Sequence, residues 1–150
     1  MPRPYICGDI IKFLTRDATM SIPDLLATKI TLPTASPASI ERARLTELIR
    51  QGLDAGRRLV LVSAPAGFGK TTCVLAWLKK SGISNANWLS LDAGDDDPQH
   101  FYLYLIAALQ KTIPSAGGEL EKILRAGQLP TAEAAAAALV NDIQASGREM

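Results

Sequence analysis

The sequence predicts an α/β fold rich in helix, and three observations carry that prediction. A short apolar, β-branched run, "RLVLVS" (58–63), leads into the glycine-bearing loop "APAGFGKTT" (64–72). The loop overlaps the start of "KTTCVLAWLKK" (70–80), which reads as a helix. A second short run, "NWLSL" (87–91), reads as another strand and is followed by a long apolar helix. Strand, glycine loop, helix, strand, helix is the context in which a phosphate-binding loop works.

Taken in order, residues 1–20 show no clear period and stand apart as an unmatched N-terminal extension, with Met20 an alternative initiator. Residues 21–56 form an arm and a first helix. "TKITLPTASPAS" (28–39) reads as extended arm, and Ser39 caps a helix from Ile40 toward Ala55, with Leu45, Leu48, Ile49 and Leu53 on one face. Gly56 stops it. Residues 57–150 make up the loop-bearing domain. "RLVLVS" is long enough for a buried strand and too short for a helix. The helix from Lys70 closes at Ser81-Gly82. Asp97 is a cap, Pro98 a favoured first-turn residue, and "QHFYLYLIAALQKT" continues as helix toward Pro114. A shorter helix covers Glu119 to Ala126; Thr131 opens a last one through "AEAAAAALVNDIQ", ended near Gly147.

Bulk properties narrow the function classes. The 150 residues suit one domain able to bury a core, with 47% apolar residues and a net charge of +1. That balance gives no electrostatic case for nucleic acid, which needs clustered Lys and Arg. Cys7 and Cys73 lack metal-like spacing and read as thiols of a reducing cytosol. Asp9, Lys12, Arg16 and Asp17 interrupt any signal-peptide core, and no apolar run approaches the roughly 20 residues that span a bilayer. The expectation is a cytoplasmic protein without membrane contact.

The loop carries the chemistry. Successive backbone N–H groups in such a loop form an anion nest, helped by the positive end of the following helix. Gly67 and Gly69 supply backbone conformations closed to side chains and let the chain approach phosphate. Lys70 reaches the β- and γ-phosphates, and Thr71 places its hydroxyl on Mg²⁺. Ala64 stands where the general pattern has glycine, a position that asks for a small residue more than for positive φ.

With "LVLVS" before the loop and "WLSLDAGDDDPQHFYLYLIAAL" (88–109) after it, the chain resembles the nucleotide-binding module of MalT-like LuxR-family transcriptional regulators, among the signal-transduction ATPases with numerous domains. "LLATKITLP" (25–33) and "IERARL" (40–45) resemble that family's arm and first helix, and the likeness covers about residues 24–145. It implies a P-loop NTPase three-layer sandwich of the AAA/STAND kind, present as its N-terminal half and cut before the strand bearing the Walker B acid. It implies ATP and Mg²⁺ as ligands, held by Ala64, Pro65, Ala66, Gly67, Phe68, Gly69, Lys70, Thr71 and Thr72, with Thr71 on the metal. Arg42 matches the family's arginine near the adenine end; a solvated helix arginine is the equal alternative. Nucleotide binding would then serve an oligomerisation switch through self-association, and DNA would be bound only by a C-terminal domain outside this chain. Without the Walker B acid the fragment is expected to be hydrolysis-incompetent, and the unpaired edges of Leu59–Val62 make it an aggregation liability. A small P-loop kinase and a non-catalytic nucleotide-binding remnant are the alternatives.

Other residues weigh against simpler roles. Asp92 ends the second strand and reads as lining the site or capping the turn rather than organising Mg²⁺. Asp95, Asp96 and Asp97 read as a solvated turn with Asp97 as helix cap rather than a metal cluster. Cys73 reads as a buried structural thiol, His100 as a lone histidine without a catalytic partner, and Phe101, Tyr102 and Tyr104 as core and rim of a helix.

Overall fold

The computed structural model describes residues 25–34 and 42–147. The N-terminal extension, the Met20 start and the Ser39 cap lie outside them. Among the described residues five α-helices follow one another: α1 (Ala43–Asp54), α2 (Lys70–Lys80), α3 (Pro98–Gln110), α4 (Gly118–Arg125) and α5 (Ala132–Ala145). Two 3-10 turns, Ala27–Ile30 and Ala93–Asp95, complete the regular structure of the described residues.

The expected α/β three-layer sandwich is overturned, because no strand exists among the described residues. Neither candidate strand forms a ladder with a neighbour. The backbone of residues 59–63 makes no hydrogen bond among the described residues, and the 87–91 run makes one isolated bond, from Ser90 N–H to the Lys29 carbonyl at 2.8 Å. β-propensity reports fit to a paired, half-buried surface. The run at 59–62 has the residues for such a surface but not the pairing, so Leu59 and Leu61 stand 84% and 86% exposed.

The helices form where local signals place them. The Asp97 carboxylate accepts from His100 N–H at 3.1 Å, with Pro98 in the first turn of α3. Thr131 Oγ1 accepts from Ala134 N–H at 3.2 Å to open α5. Gly56 turns left-handed (φ 76°) after α1, and its N–H donates to the Leu53 carbonyl at 2.8 Å.

Packing divides the helices into two groups. Helix α1 packs on α2, burying Thr46 and Ile49 on one side and Cys73, Leu75 and Leu78 on the other. Helix α3 packs on α4, and α4 on α5, around Leu103, Ile106, Leu120, Leu124, Ala135 and Leu139. A satellite cluster of Ile113, Ala116 and Ile143 extends this core. Among the described residues no helix of one group packs on a helix of the other. In the α3–α5 group Gly117 is left-handed (φ 70°), and a Cβ there would meet Ile106 Cγ1 at 2.7 Å and Leu139 Cδ2 at 3.0 Å. Its N–H donates to Asp142 Oδ2 at 2.8 Å, tying the α3–α4 corner to α5.

The arm is fixed by Lys29. Its ammonium donates to both Asp95 carboxylate oxygens at 2.7 Å, sits 3.0 Å from Asp92 Oδ2, and lies 5.1 Å from the centroid of the Tyr104 ring. The Asp95 side chain is only 4% exposed, so of the three acids expected in a solvated turn Asp95 is instead held in a near-buried ion pair, while Asp96 and Asp97 are exposed. Asp92 and Asp95 also close the 93–95 turn as a capping box. Leu26 N–H donates to the Tyr104 hydroxyl at 3.2 Å, and the Lys111 ammonium reaches the Ile30 carbonyl. The arm therefore belongs to the α3 side of the molecule.

Two outcomes are expected. Gly117→Ala adds strain at positive φ and a clash against two buried side chains, so stability should fall by about 1–3 kcal/mol; an unchanged urea midpoint would contradict this. The second concerns pH. The hydrogen bond from Lys29 holds the Asp95 carboxyl below its ordinary 3.8, and the bond to Asp95 holds Lys29 above its ordinary 10.5. The clamp's contribution is therefore complete between those values, lost in acid as pH falls through the depressed carboxyl pKa and in alkali as it rises through the raised ammonium pKa. Lys29→Met should raise the Asp95 pKa and lower hydrogen-exchange protection of the Ser90 amide at pH 7 by about tenfold or more. Unaltered Ser90 protection, read by NMR, would show that the arm is held by other contacts.

Candidate functional site

The loop between the apolar run 59–63 and α2 is built by three backbone features. Phe68 N–H donates to the Pro65 carbonyl at 3.4 Å, rounding the turn. Gly67 and Gly69 take positive φ, 80° and 76°. Gly69 is the residue before α2, left-handed, and its carbonyl accepts the first helical bond from Cys73 N–H at 2.9 Å. Helix α2 receives no side-chain cap. Its first-turn N–H groups, at Lys70, Thr71 and Thr72, lack intrahelical acceptors by construction and point toward the loop end with the positive pole of the helix.

The Lys70 side chain folds back over the loop. Its ammonium donates to the Ala64 carbonyl at 2.7 Å and the Pro65 carbonyl at 3.0 Å. A cation is thereby held across the loop mouth, beside the uncapped helix end, on partners that an anion could replace or supplement.

Beside it lies an open cavity of about 320 Å³. Lys70, Gly69, Ala64 and Phe68 from the loop and Arg42 from the start of α1 all line it. So five of the expected site residues, two of them cationic, converge on one space although Arg42 and Lys70 are far apart in sequence. The other five are placed differently. Pro65, Ala66 and Gly67 form the exposed outer turn, Thr71 is exposed in the first turn of α2, and Thr72 is half-buried; none lines the cavity.

The sequence reading missed the apolar wall. Leu45, Leu48 and Ile49 of α1, Val60 and Cys73 also line the cavity. The sequence placed the three α1 residues on one helix face without saying what that face meets. Cys73 is buried, as expected, but against this cavity. The remaining candidates are occupied elsewhere. Asp92 accepts from Gly94 N–H at 2.8 Å and pairs with Lys29, which fits the turn-capping alternative. Asp97 caps α3, and His100 Nδ1 lies 3.6 Å from it. Tyr104 is buried in the α3 packing, and Phe101 meets Tyr102 edge-on with centroids 5.4 Å apart. Among the described residues no group of three His, Cys, Asp or Glu side chains could hold a metal ion. No described helix is long and apolar enough to cross a membrane.

Comparison with known proteins points one way. Over 86 residues the chain is 43% identical to the HTH-type transcriptional regulator MalT of Serratia proteamaculans, covering 57% of this chain and 9% of that protein. The corresponding protein of Cronobacter sakazakii is 38% identical over 87 residues, 58% of this chain and 9% of its own. That of Yersinia pestis is 37% identical over 98 residues, 65% of this chain and 10% of its own. No family model and no solved structure matches. The chain spans about a tenth of the length of these curated relatives. Over more than half of its own length, then, this chain is similar to HTH-type transcriptional regulators named MalT.

Proposed function

We propose that this chain is the nucleotide-binding portion of a MalT-like, LuxR-family transcriptional regulator, binding ATP with Mg²⁺ at the loop Ala64–Thr72. The observation that carries the reading is the convergence of Lys70, Gly69, Ala64, Phe68 and Arg42 on one cavity beside the uncapped N-terminus of α2. Phosphate oxygens would take the α2 N–H groups and the Lys70 ammonium, which would exchange a loop carbonyl for the anion. The apolar wall of Leu45, Leu48 and Val60 suits a flat, poorly hydrated base, and Arg42 offers a cation at its rim.

The residues fit magnesium only in part. Thr71 is exposed in the first turn of α2 and could supply one hydroxyl, while the nucleotide's own phosphates and water would supply the rest. The ion would neutralise phosphate charge. The proposal is of binding, since the carboxylate weighed for metal work, Asp92, is committed to Lys29. In the relatives' printed role, transcription regulation, the site would act as part of a switch in self-association; DNA contact is assigned to no described residue.

Lys70→Ala should weaken binding of labelled ATP with Mg²⁺ by at least about tenfold, the loss of one charge-assisted contact of roughly 1.5–3 kcal/mol. Arg42→Ala should weaken it less and leave inorganic pyrophosphate binding unchanged. Equal ATP affinity of Lys70→Ala and the unaltered protein would sink the assignment.

A further inference from the structure

Phe68 is the loop residue that phosphate binding leaves without a task. Backbone N–H groups and the Lys70 ammonium suffice for an anion, and neither needs an aromatic ring at position 68. Yet Phe68 lines the cavity together with Arg42 and Lys70, and among the described residues lining it Phe68 alone is aromatic. It is 58% exposed, so much of its ring is open to a ligand. Singly exposed apolar side chains are ordinary on a protein surface. This one differs in how its backbone is held. Gly67 and Gly69, on either side, both take left-handed φ, 80° and 76°, and Phe68 N–H donates to the Pro65 carbonyl at 3.4 Å. An aromatic side chain with two torsions on a fixed turn has little freedom to lose when it meets a ligand.

We propose that Phe68 is the base-recognition residue of the nucleotide site, its ring stacking on the base while the N-terminus of α2 and Lys70 hold the phosphates. The inference rests on the ATP reading and adds to it the group that reads the base. Chain order supports it. Gly69 follows Phe68 and leads into the uncapped end of α2, and Lys70 folds back over the same loop. Phosphate cradle and ring therefore belong to one backbone turn, so a ligand seated on the first lies within reach of the second.

The rest of the wall does a different job. Leu45, Leu48 and Val60 keep water from a base but have no preference for its flat face. A phenyl ring adds the offset-stacked or edge-on attraction between π-systems. Arg42, from the start of α1, brings a guanidinium, the other side-chain group that stacks on bases. Stacking is indifferent to the hydrogen-bond pattern of the base and follows the strength of its π-face. The residue therefore favours the larger purine rings over pyrimidines and treats adenine and guanine alike.

The test titrates the full 150-residue chain by calorimetry with MgATP, MgGTP, MgCTP and magnesium pyrophosphate. Phe68→Ala, at an exposed side chain, should leave far-ultraviolet dichroism unchanged and weaken MgATP and MgGTP roughly ten- to a hundredfold, the range that losing a base–aromatic stack gives. MgCTP should lose less, and pyrophosphate nothing. Phe68→Trp should keep ATP affinity, whereas Phe68→Leu, apolar but without a π-face, should lose most of what alanine loses. Failure of the inference reads separately from failure of the ATP assignment. If Lys70→Ala lowers ATP affinity while Phe68→Ala or Phe68→Leu does not, the base lies elsewhere and the phosphate site stands. A pyrophosphate loss as large as the ATP loss would show that the ring supports the loop rather than the base, which also overturns the proposal. If the unaltered chain binds no MgATP, both readings fall.

Discussion

Burial of the apolar side of α3 is the interaction on which most of the described structure depends. Leu103 and Ile106 are 2% and 1% exposed, and they meet α4 and α5 through Leu120, Leu124, Ala135 and Leu139. The same helix carries Tyr104, whose hydroxyl and ring receive the arm, and its N-terminus follows the turn in which Asp95 holds Lys29. Removing α3 would leave the arm, the 93–95 turn and α4 without a common support. The loop-bearing pair α1–α2 draws on none of this packing. It rests on a smaller contact of its own, which leaves the loop region the less braced part of the chain.

That division bears on function. A binding loop gains from a supporting pair of helices that can adjust without disturbing the main core. Here the α1–α2 pair brings Arg42 and Lys70 to one cavity, while the ion pair of Lys29 with Asp92 and Asp95 anchors the arm. Asp92 and Asp95 are thus structural, while Arg42 and Lys70 line the cavity. The similarity to regulators named MalT covers more than half of this chain and about a tenth of their length.

Helices were legible in the sequence because their signals are local. Asp97-Pro98, Thr131 and Gly56 each satisfy or end a helix through atoms within a few residues, and the structure places all three as expected. The sheet was not legible, because a strand exists only through a partner. "LVLVS" and "NWLSL" carry β-branched and aromatic residues, yet neither has a neighbouring ladder. The loop's glycines and lysine were legible from spacing alone. The clamp at Lys29 was not: a single lysine in an arm gives no sign that a carboxylate 66 positions away will be nearly buried against it. The apolar wall of the cavity was half legible, as a helix stripe that packs on α2 through Ile49 and also lines the cavity with Leu45 and Leu48.

The most direct test of the nucleotide reading is an amide-resolved NMR titration of the chain with MgATP. Binding at the loop predicts the largest shifts at the amides of Gly67, Gly69, Lys70 and Thr71, smaller ones near Arg42, and almost none in α4 and α5. Shifts centred on the 93–95 turn or on α5, or no shifts at saturating nucleotide, would contradict it.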